Sequence, residues 1–243
     1  MASKGFQRFE NRLVKFREDC ELTEIIVANK ERLKGVDSIF LKVTEDSHPL
    51  LSARHNTSGS RNLIVTHLRN TMYVAYIKEL YEELTEYLHY ILIQGSQNGA
   101  NVQRLVGEHN EITLSANEIL SNNKKELDKK VMENIFRKLE NERSTPALIS
   151  KIVRKLGLDI DQQLINDALP YLVVRHVFVH SDGKPDETFR RQYPNIHIDQ
   201  RTKRIQLNSE FASIAYNSVR RLIEAFDSEM EDRHYFSDAE LQP

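Results

Sequence analysis

Three residues with side chains suited to phosphodiester chemistry lie close together in the chain, at Arg175, His176 and His180. The guanidinium of arginine carries a permanent positive charge and suits phosphate oxygens. The imidazole of histidine both accepts and donates a proton near neutral pH. A cation and a proton-transfer group are the minimum needed to cleave a phosphodiester bond without a metal. We therefore hypothesise that this segment acts on RNA, which carries its own nucleophile in the 2′-hydroxyl.

The apolar spacing before these residues predicts a helix that carries both histidines. Residues four apart lie about 40° apart around a helix axis, so the imidazoles of His176 and His180 can be neighbours. Arg175 and His180 lie about 140° apart on such a helix, so Arg175 must reach around, the helix must bend, or the two must pair across a dimer. Pro170 indicates a kink or a late helix start. The residues of the stripe are Ile165, Leu169, Leu172, His176 and His180.

The histidine pair also fits two explanations that involve no RNA chemistry. In the first, both imidazoles are packed and hydrogen-bonded on a buried face of the helix. In the second they bind zinc, since His-x-x-x-His is a metal-ligand spacing. A zinc protease needs Glu directly after the first histidine, where this chain has Val177. Asp182 and Asp186 lie beyond the next turn. We therefore predict no metal and no cofactor.

Helical periodicity dominates the rest of the chain and predicts a mainly α fold. The longest apolar stripe covers about 61–93 and would span on the order of 45 Å as one helix. Ser144 and Pro146 predict the start of a further helix, which Gly157 ends. Alternating apolar residues within 196–207 predict a short β-hairpin, an appendage between the last two helices.

A basic segment follows the motif and is the predicted substrate-binding region. Within 190–204, five basic side chains face a single acid, Asp199, which leaves a local charge of about +4. Such clusters can follow the phosphates of a nucleic acid, and Tyr193 and His197 could stack on bases. The alternative is an ordinary solvated hairpin. The five basic residues are Arg190, Arg191, Arg201, Lys203 and Arg204.

Composition limits the classes of protein to consider. The chain has 243 residues and a formal net charge of −2, so a nucleic-acid site must be a local patch. Its single cysteine, Cys20, cannot form an intramolecular disulfide and fits a reducing compartment. No apolar run approaches the roughly 20 residues of a membrane span. We expect a cytoplasmic protein that is not associated with a membrane.

The motif resembles the signature of HEPN domains (higher eukaryotes and prokaryotes nucleotide-binding). That signature has an arginine, a polar residue directly after it and a histidine a few residues on. Here these positions are Arg175, His176 and His180, with the apolar run 168–174 before them. The resemblance covers about 60–230 and is stronger in the C-terminal half.

The resemblance implies a HEPN-like helical bundle that forms a homodimer and brings two motif helices to one cleft. Many HEPN domains are metal-independent endoribonucleases of toxin, abortive-infection or RNA-processing systems. The implied partners are RNA and, in a toxin or phage-defence effector, an antitoxin or other regulatory protein. His180 matches the histidine that handles the proton, and Arg175 matches the arginine that binds the scissile phosphate. His176 matches the intervening polar position, and Glu79 or Glu82 is expected to orient these groups.

We expect three parts in the chain, and two other functions remain open. The parts are an N-terminal helical extension and loop at 1–60, a HEPN-like domain at 61–230 and a disordered tail at 231–243. The same fold could bind nucleotides or RNA, or serve in assembly, without catalysis. Alternatively, residues 146–169 could form a helix-turn-helix in a DNA-binding regulator.

Overall fold

The computed structural model describes residues 2–34, 46, 49–52, 57–108, 111–141 and 144–242. These residues are mainly helical, as the periodicity predicts, and no described helix is long and apolar enough to cross a membrane. A two-stranded antiparallel sheet joins β1 (Ala2–Ser3) to β2 (Leu241–Gln242). The helices are α1 (Lys4–Ala28), a 3₁₀ helix (Lys30–Lys34), α2 (Pro49–Ser52), α3 (Ser58–Gln97), α4 (Val102–Val106), α5 (Ala116–Ser121), α6 (Lys124–Glu140), α7 (Thr145–Leu156), α8 (Gln162–His180), α9 (Glu187–Gln192) and α10 (Ser209–Asp232).

The 40-residue helix α3 is the centre of the fold and contacts α1, α6, α7, α8 and α10. It is longer than the predicted 61–93 because Thr57 caps its first turn, accepting a hydrogen bond from the Ser60 amide. Beyond Tyr73 its buried residues recur every three or four positions, which is the spacing of one helix face. The helix thus supplies one continuous wall against which the others pack.

Helix α1, which lies in the predicted N-terminal helical extension and loop at 1–60, shares one hydrophobic core with the rest of the chain. It runs antiparallel to α10, since Phe9 stacks on Tyr216 with ring centroids 6.2 Å apart and Ser3 binds Asp227 further along α10. Phe9 is buried. A narrow apolar stripe of α1 makes the contact, and most of its charged residues lie on the other faces.

The C-terminal residues up to Gln242, where a disordered tail is predicted over 231–243, contact the rest of the chain. Tyr235 and Phe236 are buried, and β2 pairs with β1. The Asn98 side chain donates a hydrogen bond to the Tyr235 carbonyl at 3.0 Å. Two aromatic residues are too few to form a periodic pattern, so local periodicity does not predict this packing.

The predicted hairpin is reduced to one antiparallel bridge between Ile198 and Ile205. The amide of Asp199 donates to the Arg204 carbonyl at 2.8 Å and closes the intervening turn. The short helix α9 precedes this turn, so the connection between α8 and α10 is a helix followed by a turn. A single bridge suffices here because Ile196, Ile205 and Leu207 are buried against the helices.

Candidate functional site

Helix α8 carries the motif and packs against both α3 and α10. Asp161 caps its first turn, accepting a hydrogen bond from the Gln163 amide at 2.8 Å. The helix continues through Pro170 to His180, so the predicted late start is wrong. The turn that follows is closed by Gly183, whose φ of 75° favours glycine and whose added Cβ would lie 2.6 Å from the Phe178 ring.

The buried face of α8 moves around the helix after Leu172. Up to that residue Ile165, Ala168 and Leu172 are buried, and Ile165 and Leu172 belong to the predicted stripe. Beyond it Val174 and Val177 are buried instead. Both motif histidines are exposed as a result. A structural role for two histidines packed on a buried face is therefore wrong.

His176 and His180 form an exposed pair of imidazoles one helical turn apart. Their ring centroids lie 4.4 Å apart and the rings are tilted by 45°. Among the described residues, neither ring has a hydrogen bond or an ion pair with another side chain. Both imidazoles are thus accessible from solvent and available to a substrate.

Arg175 points away from the histidine pair and towards α3. Its guanidinium carbon lies 4.8 Å from the centre of the Tyr81 ring, in the geometry of a cation–π contact. Its Nε atom is buried and has no hydrogen-bond partner. No contact joins Arg175 to His176 or His180 in the part of the chain that is described. The three predicted catalytic residues therefore do not come together within the described part of this chain.

Arg175 differs from most other buried or half-buried arginines in having no carboxylate partner. Arg61, Arg69 and Arg220 each have an acidic side chain within 3.2 Å, and Arg204 pairs with Asp182. Of the described arginines with at least partial burial, Arg17 and Arg175 have no such ion pair, and each lies over a tyrosine ring. The charge of Arg175 is held in place without being neutralised.

Neither acidic residue predicted to orient the motif has a hydrogen bond or an ion pair with it among the described residues. Glu79 accepts a hydrogen bond from Arg12 of α1 at 3.0 Å. Glu82 is exposed and has no ion pair among the described residues. The sequence missed a buried acid, Glu83, whose pKa is raised by burial against the opposing charges of Arg8 and Arg12. These ion pairs join α1 to α3. The signal in the sequence is the i, i+4 spacing, which places the acids on one face of α3 and the arginines on one face of α1.

The basic segment is partly neutralised by acids outside it. Arg191 pairs with Glu187 at 3.0 Å, and Arg204 pairs with Asp182. Arg190 and Lys203 have no acidic partner among the described residues, and both line one surface depression. Arg201 is exposed. Two of the five predicted basic residues, Arg190 and Lys203, thus lie around the same depression.

The basic residues of the helix-turn-helix alternative surround a carboxylate. The Glu108 carboxylate lies 3.4 Å from Lys151 and 3.2 Å from Arg154. Lys155 is buried and donates to the Leu105 carbonyl at 2.7 Å. These side chains hold α4 against α7, so they present little free charge to DNA.

Comparison with known proteins does not assign this chain to a family. No group of three or more metal-ligating side chains occurs in the described ranges. No family model matches the chain, and neither a curated protein nor a solved structure matches it significantly. The fold and the motif geometry are therefore the basis for a functional proposal.

Proposed function

We propose that this chain is a HEPN-like helical protein that cleaves RNA as a metal-independent endoribonuclease. The observation that carries the proposal is the exposed histidine pair, with His176 and His180 4.4 Å apart at the end of α8. Both imidazoles are exposed and have no hydrogen-bond partner in the part of the chain that is described, so packing in the core does not explain the pair. They are well suited to proton transfer with a bound substrate.

The reaction needs a base, an acid and a cation. The base takes the proton of the 2′-hydroxyl, and the 2′-oxygen then attacks the phosphorus. The bond from phosphorus to the 5′-oxygen breaks as the acid gives a proton to that oxygen. The products are a 2′,3′-cyclic phosphate and a 5′-hydroxyl. Proton transfer of this kind contributes about 10²- to 10⁴-fold to a rate.

The geometry of this reaction favours a homodimer. The attacking and departing oxygens lie on opposite sides of the phosphorus, whereas His176 and His180 approach from one helix face. A second copy of α8 across a two-fold axis supplies the opposite side. Val179, which lies between the two histidines in sequence and is 43% exposed, gives this face an apolar contact.

Arg175 is the residue we assign to the charge of the transition state. Its guanidinium is not paired with a carboxylate, so its charge is free to act on a phosphate. It occupies a neighbouring face of α8, and its long side chain has to leave Tyr81 to reach the phosphate. We place the protein in a toxin or phage-defence system in the cytoplasm, held by an antitoxin or another regulatory protein.

The test is RNA cleavage by the purified chain in excess EDTA. The proposal predicts cleavage with 2′,3′-cyclic phosphate ends, and none at a position where a single 2′-deoxynucleotide replaces the ribonucleotide. Cleavage that needs an added divalent cation, or that continues at the deoxy position, would contradict this mechanism.

The second candidate is a non-catalytic protein of the same fold that binds RNA or nucleotides. The separation of Arg175 from the histidine pair favours it, because one subunit lacks a complete site. This candidate predicts RNA binding without turnover under every condition in which the dimer forms.

A further inference from the structure

The surface between α8, α9 and α10 carries three adjoining depressions away from the histidine pair. They share Asn195 and Ile196 as lining residues and have volumes of about 530, 400 and 380 Å³. Tyr171 and Tyr193 each line two of them. Volumes of this order suit a small ligand of drug or nucleotide size.

The 400 Å³ depression, which we call the basic pocket, has two cations and no acid in its lining. Arg190 and Lys203 supply the positive charge, and the amide side chains of Asn195 and Gln200 supply hydrogen-bonding groups. The Lys203 ammonium donates a hydrogen bond to the neutral Gln200 side chain at 3.5 Å and has no ion pair with an acid among the described residues. Two cations that are not neutralised by a carboxylate favour an anion with several oxygens, such as a phosphate.

The basic pocket also offers an aromatic surface that is held in place. The ring of Tyr193 packs on the buried Phe189 with centroids 5.0 Å apart. Burial raises the pKa of Tyr193, so its hydroxyl remains protonated. The imidazole of His197 lines the same pocket. Aromatic faces of this kind stack on nucleobases without requiring one particular base.

The turn that carries Lys203 is fixed by its own hydrogen bonds. Asp199 accepts hydrogen bonds from the Arg201 amide at 3.0 Å and from the Thr202 amide and hydroxyl. These bonds lower the pKa of the Asp199 carboxyl. Lys203 itself has a φ of 58°, a left-handed conformation that is uncommon for lysine. The turn therefore keeps Lys203 at the pocket despite its unfavourable backbone.

We propose that the basic pocket binds one nucleoside monophosphate unit, with the phosphate on Arg190 and Lys203 and the base against Tyr193. The unit is either a free mononucleotide or one nucleotide of a single-stranded RNA. Neither His176 nor His180 is among the residues that line the basic pocket, and the proposal does not depend on the cleavage that we propose for that pair.

The proposal is tested by titrating the full chain with 5′-AMP at low salt and comparing two double variants by calorimetry. R190Q/K203Q removes both pocket cations, and R191Q/R201Q removes the same charge from outside the pocket. All four side chains are exposed, so both variants should melt like the wild type. We expect R190Q/K203Q to weaken AMP binding at least about tenfold, and the control pair to weaken it less than about threefold.

Two further ligands test the aromatic part and the source of the nucleotide. Inorganic phosphate should bind more weakly than AMP, and Tyr193→Ala should remove that difference. An eight-residue oligoadenylate, measured with His180→Ala to prevent cleavage, should bind more tightly than AMP if an RNA strand is the natural ligand, and no more tightly if a free mononucleotide is. Equal losses in the two double variants, no AMP binding by the wild type, or phosphate binding as tight as AMP binding would overturn the proposal.

Discussion

His176 and His180 face solvent together with their rings 4.4 Å apart, while Arg175, the residue before His176, lies over the Tyr81 ring of α3. The motif is thus divided between an exposed face, which can transfer protons, and a half-buried cation that lies over an aromatic ring. The division gives each residue a distinct expected response to substitution. Replacing a residue whose role is packing should lower the free energy of unfolding. Replacing a residue whose role is chemical should lower the rate of RNA cleavage.

Replacing Arg175 with methionine should separate these two roles. The Arg175 Nε is buried without a hydrogen-bond partner, and no carboxylate would be left unpaired by the change. Because methionine fills a similar volume, we expect the free energy of unfolding to change by less than about 1 kcal/mol. Cleavage should fall at least about 100-fold, since the cation that stabilises the transition state is lost. Urea unfolding and single-turnover cleavage measure the two effects.

Arg69→Met is the matched control for that experiment. Arg69 donates to Glu24 at 2.9 Å, so its replacement leaves a carboxylate with one partner fewer. We expect a loss of about 1 kcal/mol in stability and no change in cleavage rate. A large stability loss for Arg175→Met with unchanged cleavage would show that Arg175 is structural.

Two glycines of α3 should respond in opposite directions to the same substitution. A Cβ on Gly95 would lie 2.4 Å from the Leu156 side chain, so Gly95→Ala should destabilise the protein by about 1–3 kcal/mol through overpacking. Gly59 is exposed, with only the Thr57 hydroxyl oxygen near its added Cβ, at 3.9 Å. Gly59→Ala should therefore be neutral or stabilise by up to about 1 kcal/mol. Equal effects in urea unfolding would mean that α3 and α7 do not pack as closely as described.

Removing the last eleven residues should destabilise the protein strongly. A chain that ends after Asp232 loses the buried Tyr235 and Phe236 and should lose at least about 3 kcal/mol of stability. A chain that ends after Ser237 keeps both aromatic residues and is the control. If the two truncated chains melt at the same temperature, the aromatic residues do not pack as the structure describes.

The single cysteine should react slowly with alkylating reagents in the folded protein. Burial, followed by the nearby charges of Asp19, Glu24 and Glu21, raises the pKa of the Cys20 thiol to about 11. The thiolate is the reactive form, so at pH 8 only about one thiol in a thousand is reactive. The alkylation rate should rise about tenfold per pH unit from 8 to 10. A rate that levels off below pH 9 in the folded protein, followed by mass spectrometry, would contradict this environment.

The helices themselves could be predicted well from the sequence. Ser144 and Gly157 bound α7 as predicted, since Ser144 caps the Ala147 amide and Gly157 adopts a φ of 68°. Capping and periodicity are local properties of the chain, so a sequence contains them directly. The apolar periodicity over about 61–93 predicts most of α3 for the same reason.

The faces of α8 and the pairing of charges could not be predicted. The stripe through Leu172 predicts burial of His176, but α8 packs against two helices and buries Val174 and Val177 instead. Arg204 and Arg191 form ion pairs with Asp182 and Glu187, which lie outside the basic segment 190–204. Both outcomes depend on which elements pack together, and that information is not local.

The most direct test of the central claim is single-turnover RNA cleavage in EDTA by the wild type and His180→Ala. His67→Ala changes an exposed histidine of α3 and is the matched control. Melting curves establish that all three chains are folded. We predict that His180→Ala loses at least about 100-fold in rate with an unchanged melting temperature, and that His67→Ala cleaves like the wild type. Equal cleavage by all three chains, or cleavage by none of them, would contradict a ribonuclease centred on His180.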